Sequence, residues 1–244
     1  MVSGKEIRMK RIFNKGRTLI SALDYGGFMG PVAGLENPSK IIRTVIEAGA
    51  DAILVNPGVA KREWITFAGR VGLIIRITGG CTRFSPDGEY HTIVLSVEEA
   101  VRLGADAVAV MVIVGSKEEH KMFENMGKVI QEADHLGIPV LAELLPSDAS
   151  GRPSKDIISL CARVGYELGA DVIKTYYPGN GFSEIVNSCP IPIVIAGGLK
   201  TEDSLSIVKE AIEAGAKGVA FGRNIFQAEN PGKIVAQIKK ILYE

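Results

Sequence analysis

The sequence predicts an α/β chain closed as a (β/α)8, or TIM, barrel. Three observations carry this reading: a phrase repeated where helices end, eight apolar runs alternating with helical patterns, and glycine loops after the last two runs. The phrase reads Glu47-Ala48-Gly49-Ala50-Asp51, Arg102-Leu103-Gly104-Ala105-Asp106, Glu167-Leu168-Gly169-Ala170-Asp171 and Glu213-Ala214-Gly215-Ala216-Lys217. Its glycine tolerates the left-handed backbone just past a helix end, so each copy marks a helix-to-strand passage. Runs of continuous rather than alternating apolar residues are those of strands buried on both faces, as in a parallel sheet covered by helices.

The elements follow in order. Residues 1–17 are basic (Lys5, Arg8, Lys10, Arg11, Lys15, Arg17) and lack the apolar run of a signal peptide, which predicts a leading helix on the barrel underside. Strands are expected at Thr18–Asp24, Ala52–Asn56, Gly72–Ile77, Ala107–Val112, Val140–Leu145, Val172–Tyr176, Ile193–Gly197 and Gly218–Phe221. Asn37-Pro38 and Asn230-Pro231 place a capping residue before a proline at the first helical position. Ser96 with Glu99, and Ser116 with Glu119, have capping-box spacing. No linker or low-complexity segment divides the 244 residues, so one barrel domain with a short basic lead-in is expected over 1–244. A doubly wound open sheet is the alternative that the same alternation allows.

Composition narrows the function. The chain is 46% hydrophobic, and its 28 Lys+Arg balance its 28 Asp+Glu, which argues against a general nucleic-acid binder while leaving room for a local phosphate site. No stretch reaches membrane-span length. Cys81, Cys161 and Cys189 form no zinc or disulfide pattern and suit a reducing, cytoplasmic compartment; Cys161 falls in an apolar helical run. His91, His120 and His135 have no ligand spacing, so neither metal nor other cofactor is expected. His120 reads as a solvated helix-start residue and His135 as a solvated helix-end residue.

Lys174 is the residue that points to chemistry. It interrupts the apolar run Asp171-Val172-Ile173-Lys174-Thr175-Tyr176-Tyr177, and burial disfavours a charged amine. A desolvated lysine is a nucleophile toward carbonyls through a Schiff base. The alternative is a lysine that snorkels to the strand end or pairs with a buried carboxylate. In a barrel the chemistry sits at the carboxyl ends of the strands. That rule gathers Asp24, Asn56, Arg76, Thr78, Glu143, Lys174 and Tyr176 at one mouth, with Glu143 and Leu145, and Lys174 and Tyr176, sharing faces by the two-residue period. Arg76 either raises the positive field at Lys174 or forms an ion pair with Asp24 or Glu143. After strands seven and eight come Ala196-Gly197-Gly198-Leu199-Lys200 and Phe221-Gly222-Arg223-Asn224. Gly197, Gly198 and Gly222 let backbone approach an anion, and Arg223 adds a forked donor, at the usual barrel phosphate position. The expected partner is therefore a phosphorylated small-molecule carbonyl substrate.

Leu23-Asp24-Tyr25-Gly26 with Gly30-Pro31, the Lys174-Thr175-Tyr176 strand and Gly222-Arg223-Asn224-Ile225-Phe226-Gln227 resemble the class I, Schiff-base aldolases of the archaeal fructose-bisphosphate aldolase and deoxyribose-phosphate aldolase-like type. Within that family, Gly181-Phe182-Ser183-Glu184-Ile185-Val186 and the run from Cys189 to Gly198 are most similar to the thiolases acting on a phosphorylated, autoinducer-2-derived dione. So are Arg11-Ile12-Phe13-Asn14 and Gly115-Ser116 with His120. The resemblance implies an imine on Lys174, proton transfer by Asp24, an acidic active-site position at Glu184, phosphate held by Gly197, Gly198, Gly222 and Arg223, no cofactor, and a homo-oligomer. Two family features are absent: Tyr25 stands where Asp-His-Gly has its histidine, and Leu145 where the archaeal aldolases carry a tyrosine. Tyr25, Tyr176 and Glu143 are the candidates to move protons instead. Three functions stay open: an aldolase making or breaking a C–C bond, an acyltransferase passing an acetyl group to a thiol, and a non-catalytic sugar-phosphate-binding barrel.

Overall fold

The structure, a computed structural model, describes residues 4–85, 90–148, 152–198 and 204–244. After helix α1 (Gly4–Ile12) come β1 (Thr18–Ala22), α2 (Gly26–Met29), α3 (Pro38–Glu47), β2 (Ala52–Val55), α4 (Pro57–Phe67) and β3 (Gly72–Arg76). A small hairpin of β4 (Thr78–Gly79) and β5 (Thr92–Ile93) leads to α5 (Val97–Arg102), β6 (Ala107–Val114), α6 (Glu119–Leu136), β7 (Val140–Pro146) and α7 (Lys155–Glu167). The chain ends with β8 (Val172–Thr175), α8 (Phe182–Ser188), β9 (Ile193–Ala196), α9 (Ser204–Glu213), β10 (Gly218–Phe221), α10 (Arg223–Phe226) and α11 (Pro231–Tyr243). Eight parallel strands close in the order β1-β10-β9-β8-β7-β6-β3-β2. The closing pair, Thr18↔Gly218 to Ser21↔Phe221, removes the open edges a doubly wound sheet would have. The (β/α)8 expectation holds. Among the described residues, no helix is long and apolar enough to cross a membrane.

Strand alternation sorts the core into two layers. Ile20, Leu54, Ile74, Ala109, Leu141, Val172, Val194 and Ala220 fill the barrel interior, with Ile12 and Phe13 of the lead-in against them. Their neighbours, such as Leu19, Ile53, Ile75, Ile173 and Ile195, face the helices. The two-residue step then continues the inner column upward: Ile74 to Arg76, Leu141 to Glu143, Val172 to Lys174. The interior thus changes from apolar below to charged at the mouth.

The repeated phrase has two structural roles. Gly49, Gly104, Gly169 and Gly215 all adopt positive φ, between 86° and 107°, at the helix exits. The aspartates that follow the first three fasten the barrel floor. Asp51 Oδ2 accepts from the Leu19 amide at 2.9 Å, Asp106 Oδ2 from Leu73 at 3.0 Å and Asp171 Oδ2 from Val140 at 2.8 Å. Each bond ties one strand to its neighbour, and each carboxylate also takes a cation: Lys239, Arg11 and Lys5 respectively. The last two cations lie on α1, so these ion pairs fasten that helix to the barrel floor.

Asp51 also accepts from the Tyr243 hydroxyl at 2.8 Å, which raises the phenol's pKa through burial and the neighbouring carboxylate. Asp51→Ala strips Lys239, Tyr243 and the Leu19 amide of one acceptor. Breaking such a buried pair costs about 3–5 kcal/mol, and the melting temperature should fall by roughly 10 °C or more. An unchanged melting curve would show that the floor carboxylates are dispensable.

Asn37, Asn230 and Ser96 cap their helices through Lys40, Lys233 and Glu99 amides, as the spacing predicts. Ser116 does not cap α6. Its Oγ accepts from Glu118, while Glu119 reaches back to the Gly115 amide at 2.7 Å, so the pair closes the turn one step before the helix. His120 and His135 are exposed, and Cys161 is fully buried with its thiol pushed up to about 12 by burial.

Candidate active site

The strand ends open into a cavity of about 440 Å³. At its base lies a chain of four charges. Lys174 Nζ sits 2.7 Å from Glu143 Oε1, Glu143 Oε2 binds Arg76 Nη2 closely, and Arg76 Nε donates to Asp24 Oδ2 at 2.9 Å. Glu143 and Lys174 are direct register partners on β7 and β8, which brings their side chains together. Both are almost fully buried, at 4% and 5% exposure, and so is Arg76. Burial by itself would raise the Glu143 carboxyl, but the Lys174 and Arg76 cations overcome it and hold the group low, at about 2. Burial would likewise discharge Arg76, and Glu143 and Asp24 keep it firmly protonated. Arg76 therefore forms ion pairs with both carboxylates between which the sequence left a choice. Its Nη1 is buried without a partner among the described residues.

The remaining mouth residues come from loops that follow strands. Asn56, at the start of α4, donates to the Asp24 carbonyl at 2.6 Å and holds the turn after β1. Thr78 Oγ1 accepts from the Met111 amide at 3.0 Å, which ties the hairpin base to β6. Tyr25 packs on Phe28 and Phe226, with the Arg223 guanidinium 5.1 Å over its ring. Tyr176 is half-buried beside Gly198, and burial, then Glu143, raises its phenol. Arg223 Nη2 donates to the Gly198 carbonyl at 2.8 Å, and Asn224 Nδ2 to Gly197 at 2.9 Å. A β-carbon on Gly197 would stand 2.7 Å from Asn224, and one on Gly222 3.0 Å from the Ala22 carbonyl. The two glycine loops therefore interlock closely, with Arg223 between them. Leu199 and Lys200, which complete the first loop, lie outside the described residues.

Asp24, Tyr25, Arg76, Glu143, Lys174, Tyr176, Gly197, Gly198, Gly222 and Arg223 all line this one cavity. Glu184 does not. It sits in the first turn of α8 with its side chain 70% exposed, paired to Lys155 on the outer surface. The structure therefore does not bring its carboxylate to the cavity with the other candidates. Conversely, Cys81 and His91 enter the mouth from the β4–β5 hairpin, although no motif or spacing in the sequence points to them. Among the described residues, no group of three or more His, Cys, Asp or Glu could hold a metal ion.

Residues 18–228 match the model of the DeoC/LacD family aldolases. The chain belongs to that family. It is an enzyme of the Schiff-base aldolase class. The aldolase is 39% identical, over 98% of its length and 91% of the relative's, to 2-amino-3,7-dideoxy-D-threo-hept-6-ulosonate synthase 1 of Archaeoglobus fulgidus. It is 35% identical, over 99% of its length and 82% of the relative's, to the 3-hydroxy-5-phosphonooxypentane-2,4-dione thiolase of Klebsiella pneumoniae. Among solved structures it superposes on an archaeal fructose-1,6-bisphosphate aldolase with a TM-score of 0.89 at 31% identity, covering 99% of this chain and all of the other. That protein was solved with its catalytic lysine covalently bound to a carbinolamine intermediate.

Proposed function

We propose that the aldolase forms a Schiff base between Lys174 and the carbonyl of a phosphorylated keto substrate, then makes or breaks the adjacent C–C bond. The single observation behind this reading is Lys174 itself: an amine on the inner face of a barrel strand, in contact with Glu143, at the floor of the cavity. The neutral amine adds to the carbonyl, and Glu143 is the nearest group to accept the proton it sheds. Loss of water leaves a protonated imine. In cleavage, the proton of the hydroxyl beyond the scissile bond passes to a base, the C–C electron pair moves into the imine as an enamine, and an aldehyde departs. Protonation of the enamine and hydrolysis release the ketone. Asp24, held through its carboxylate by Arg76 and through its carbonyl by Asn56, can hold a substrate hydroxyl or relay a proton. The test is mass mapping: with dihydroxyacetone phosphate and borohydride, a reduced adduct should form on Lys174, and an adduct elsewhere, or none, defeats the reading.

The phosphate is assigned to the loops after β9 and β10, with Arg223 as the charged donor. Arg223 already spends one donor on Gly198 and stacks on Tyr25, so it is preorganised rather than free. Arg223→Ala should raise KM for phosphorylated substrates about tenfold or more, the cost of one charged hydrogen-bond partner. Unphosphorylated analogues should be nearly unaffected, and equal weakening of both would count against the site.

The acyltransferase reading is supported by the thiolases at 35% identity. It shares Lys174 with the aldolase reading and differs in requiring a thiol acceptor, so product formation that depends on an added thiol would favour it. The reading also implies a homo-oligomer in the cytoplasm, to be tested by solution mass and fractionation.

A further inference from the structure

We infer that His91 is the acid–base residue for the substrate fragment that leaves or joins at the end remote from the phosphate. The inference rests on the Schiff-base reading of Lys174 and adds to it the group that handles the second proton. The strand order supplies the geometry. Around the closed barrel, β9 and β10 lie opposite β3 and β6, with β8 on the arc between them. A ketone phosphate anchored at the Gly198 and Arg223 loops, with its carbonyl carbon at Lys174, therefore points its far end toward β3 and β6. The β4–β5 hairpin rises between those two strands, and it carries His91 into the cavity.

Val94, Met111, Ile113 and Leu145 line this side of the cavity. The charges of Arg76, Glu143 and Asp24 are spent on one another and on Lys174. His91 Nε2 lies 3.7 Å from Cys81 Sγ, and Nδ1 is buried without a partner among the described residues. A thiol both donates and accepts weakly, so Cys81 can support either tautomer of the ring. With Nε2–H toward sulfur, Nδ1 carries the lone pair; it is buried as the ring lies, and a turn of the half-buried ring toward the cavity it lines brings this nitrogen to a hydroxyl proton. Burial, then the Arg76 charge, holds the imidazole down at about 4, so it is neutral at pH 7.

The step balances. The substrate hydroxyl gives its proton to His91 Nδ1, the C–C pair moves into the Lys174 imine to form the enamine, and the aldehyde leaves. In the synthetic direction a ring that has taken a proton from solvent gives it to the alkoxide as the new C–C bond closes. His91 would thus do work for which Tyr25 is poorly placed, its ring being packed between Phe28 and Phe226 under Arg223.

The experiment separates the two proton transfers. Wild type, His91→Gln and His91→Phe are incubated with dihydroxyacetone phosphate and borohydride, and the Lys174 adduct is measured by mass. Condensation of the same ketone with glycolaldehyde, glyceraldehyde and glyceraldehyde 3-phosphate is then followed. Both variants should trap on Lys174 like wild type, since the imine needs Glu143 and not His91. C–C bond formation should fall about 10²–10⁴-fold, the usual worth of a positioned acid or base. Condensation within tenfold of wild type in both variants overturns the role of His91, and so does loss of the adduct, which would make His91 a structural residue of the mouth. A wild type that traps no adduct overturns the Schiff-base reading itself, and one that traps the ketone but condenses with no aldehyde overturns the role of His91 alone.

Discussion

Lys174→Arg should abolish turnover while leaving the barrel folded. A guanidinium keeps the positive charge that Glu143 needs, but it does not become a neutral amine near pH 7 and so forms no imine. Turnover should fall by at least about 10⁴-fold, because covalent catalysis is removed rather than weakened. The borohydride adduct should vanish with it. Lys174→Ala makes a second arm. It frees Glu143 Oε1, and that buried anion then has Arg76 alone as counter-charge. Breaking one side of a buried pair is destabilising, so the alanine variant should melt below both wild type and the arginine variant. This differs from a lysine buried alone, whose removal would relieve a desolvation cost. Turnover of either variant near the wild-type rate would rule out the covalent route and leave a sugar-phosphate-binding barrel as the better description.

The position of Lys174 was readable because its context was strong. A lone charge in a four-residue apolar strand, framed by a repeated helix-to-strand phrase, leaves few places to lie. The same two-residue period that puts Val172 inside puts Lys174 inside, and it does the same for Glu143 and Arg76. What the period does not say is which carboxylate Arg76 chooses; the register Glu143↔Lys174 and the reach of the guanidinium decide that it takes both. The hairpin was not readable. Its two-residue strands are too short to show alternation. One signal was present, the long span between strand three and the Ser96 cap, because a loop of that length in a compact barrel is usually functional. Glu184 is the opposite case. Resemblance alone points to it, with no strand to aim it, and in the first turn of α8 it pairs with Lys155.

Glu143→Gln tests whether the charge chain serves both folding and chemistry. The amide keeps the shape of the carboxylate but leaves Arg76 and Lys174, both buried, facing Asp24 as the one remaining carboxylate of the chain. At neutral pH the variant should lose about 3–5 kcal/mol, the cost of leaving a buried charge uncompensated. The pH dependence follows from the sign of the shift. Glu143 titrates lower in the folded protein, at about 2, than at its ordinary value of 4.5. The unfolded chain therefore binds the proton first, and the stabilisation is complete above about pH 4.5 and lost as the pH falls toward 2. The stability gap between wild type and Glu143→Gln should be widest near neutral pH and close through that window. A gap that stays constant down to pH 2 would assign the loss to packing and not to charge. In catalysis the variant removes the nearest acceptor for the Lys174 proton, so the rate of adduct formation should drop about 10²–10⁴-fold. Slow trapping in Glu143→Gln beside normal trapping in the His91 variants would place the two residues on different steps: Glu143 on formation of the imine, His91 on the carbon–carbon bond.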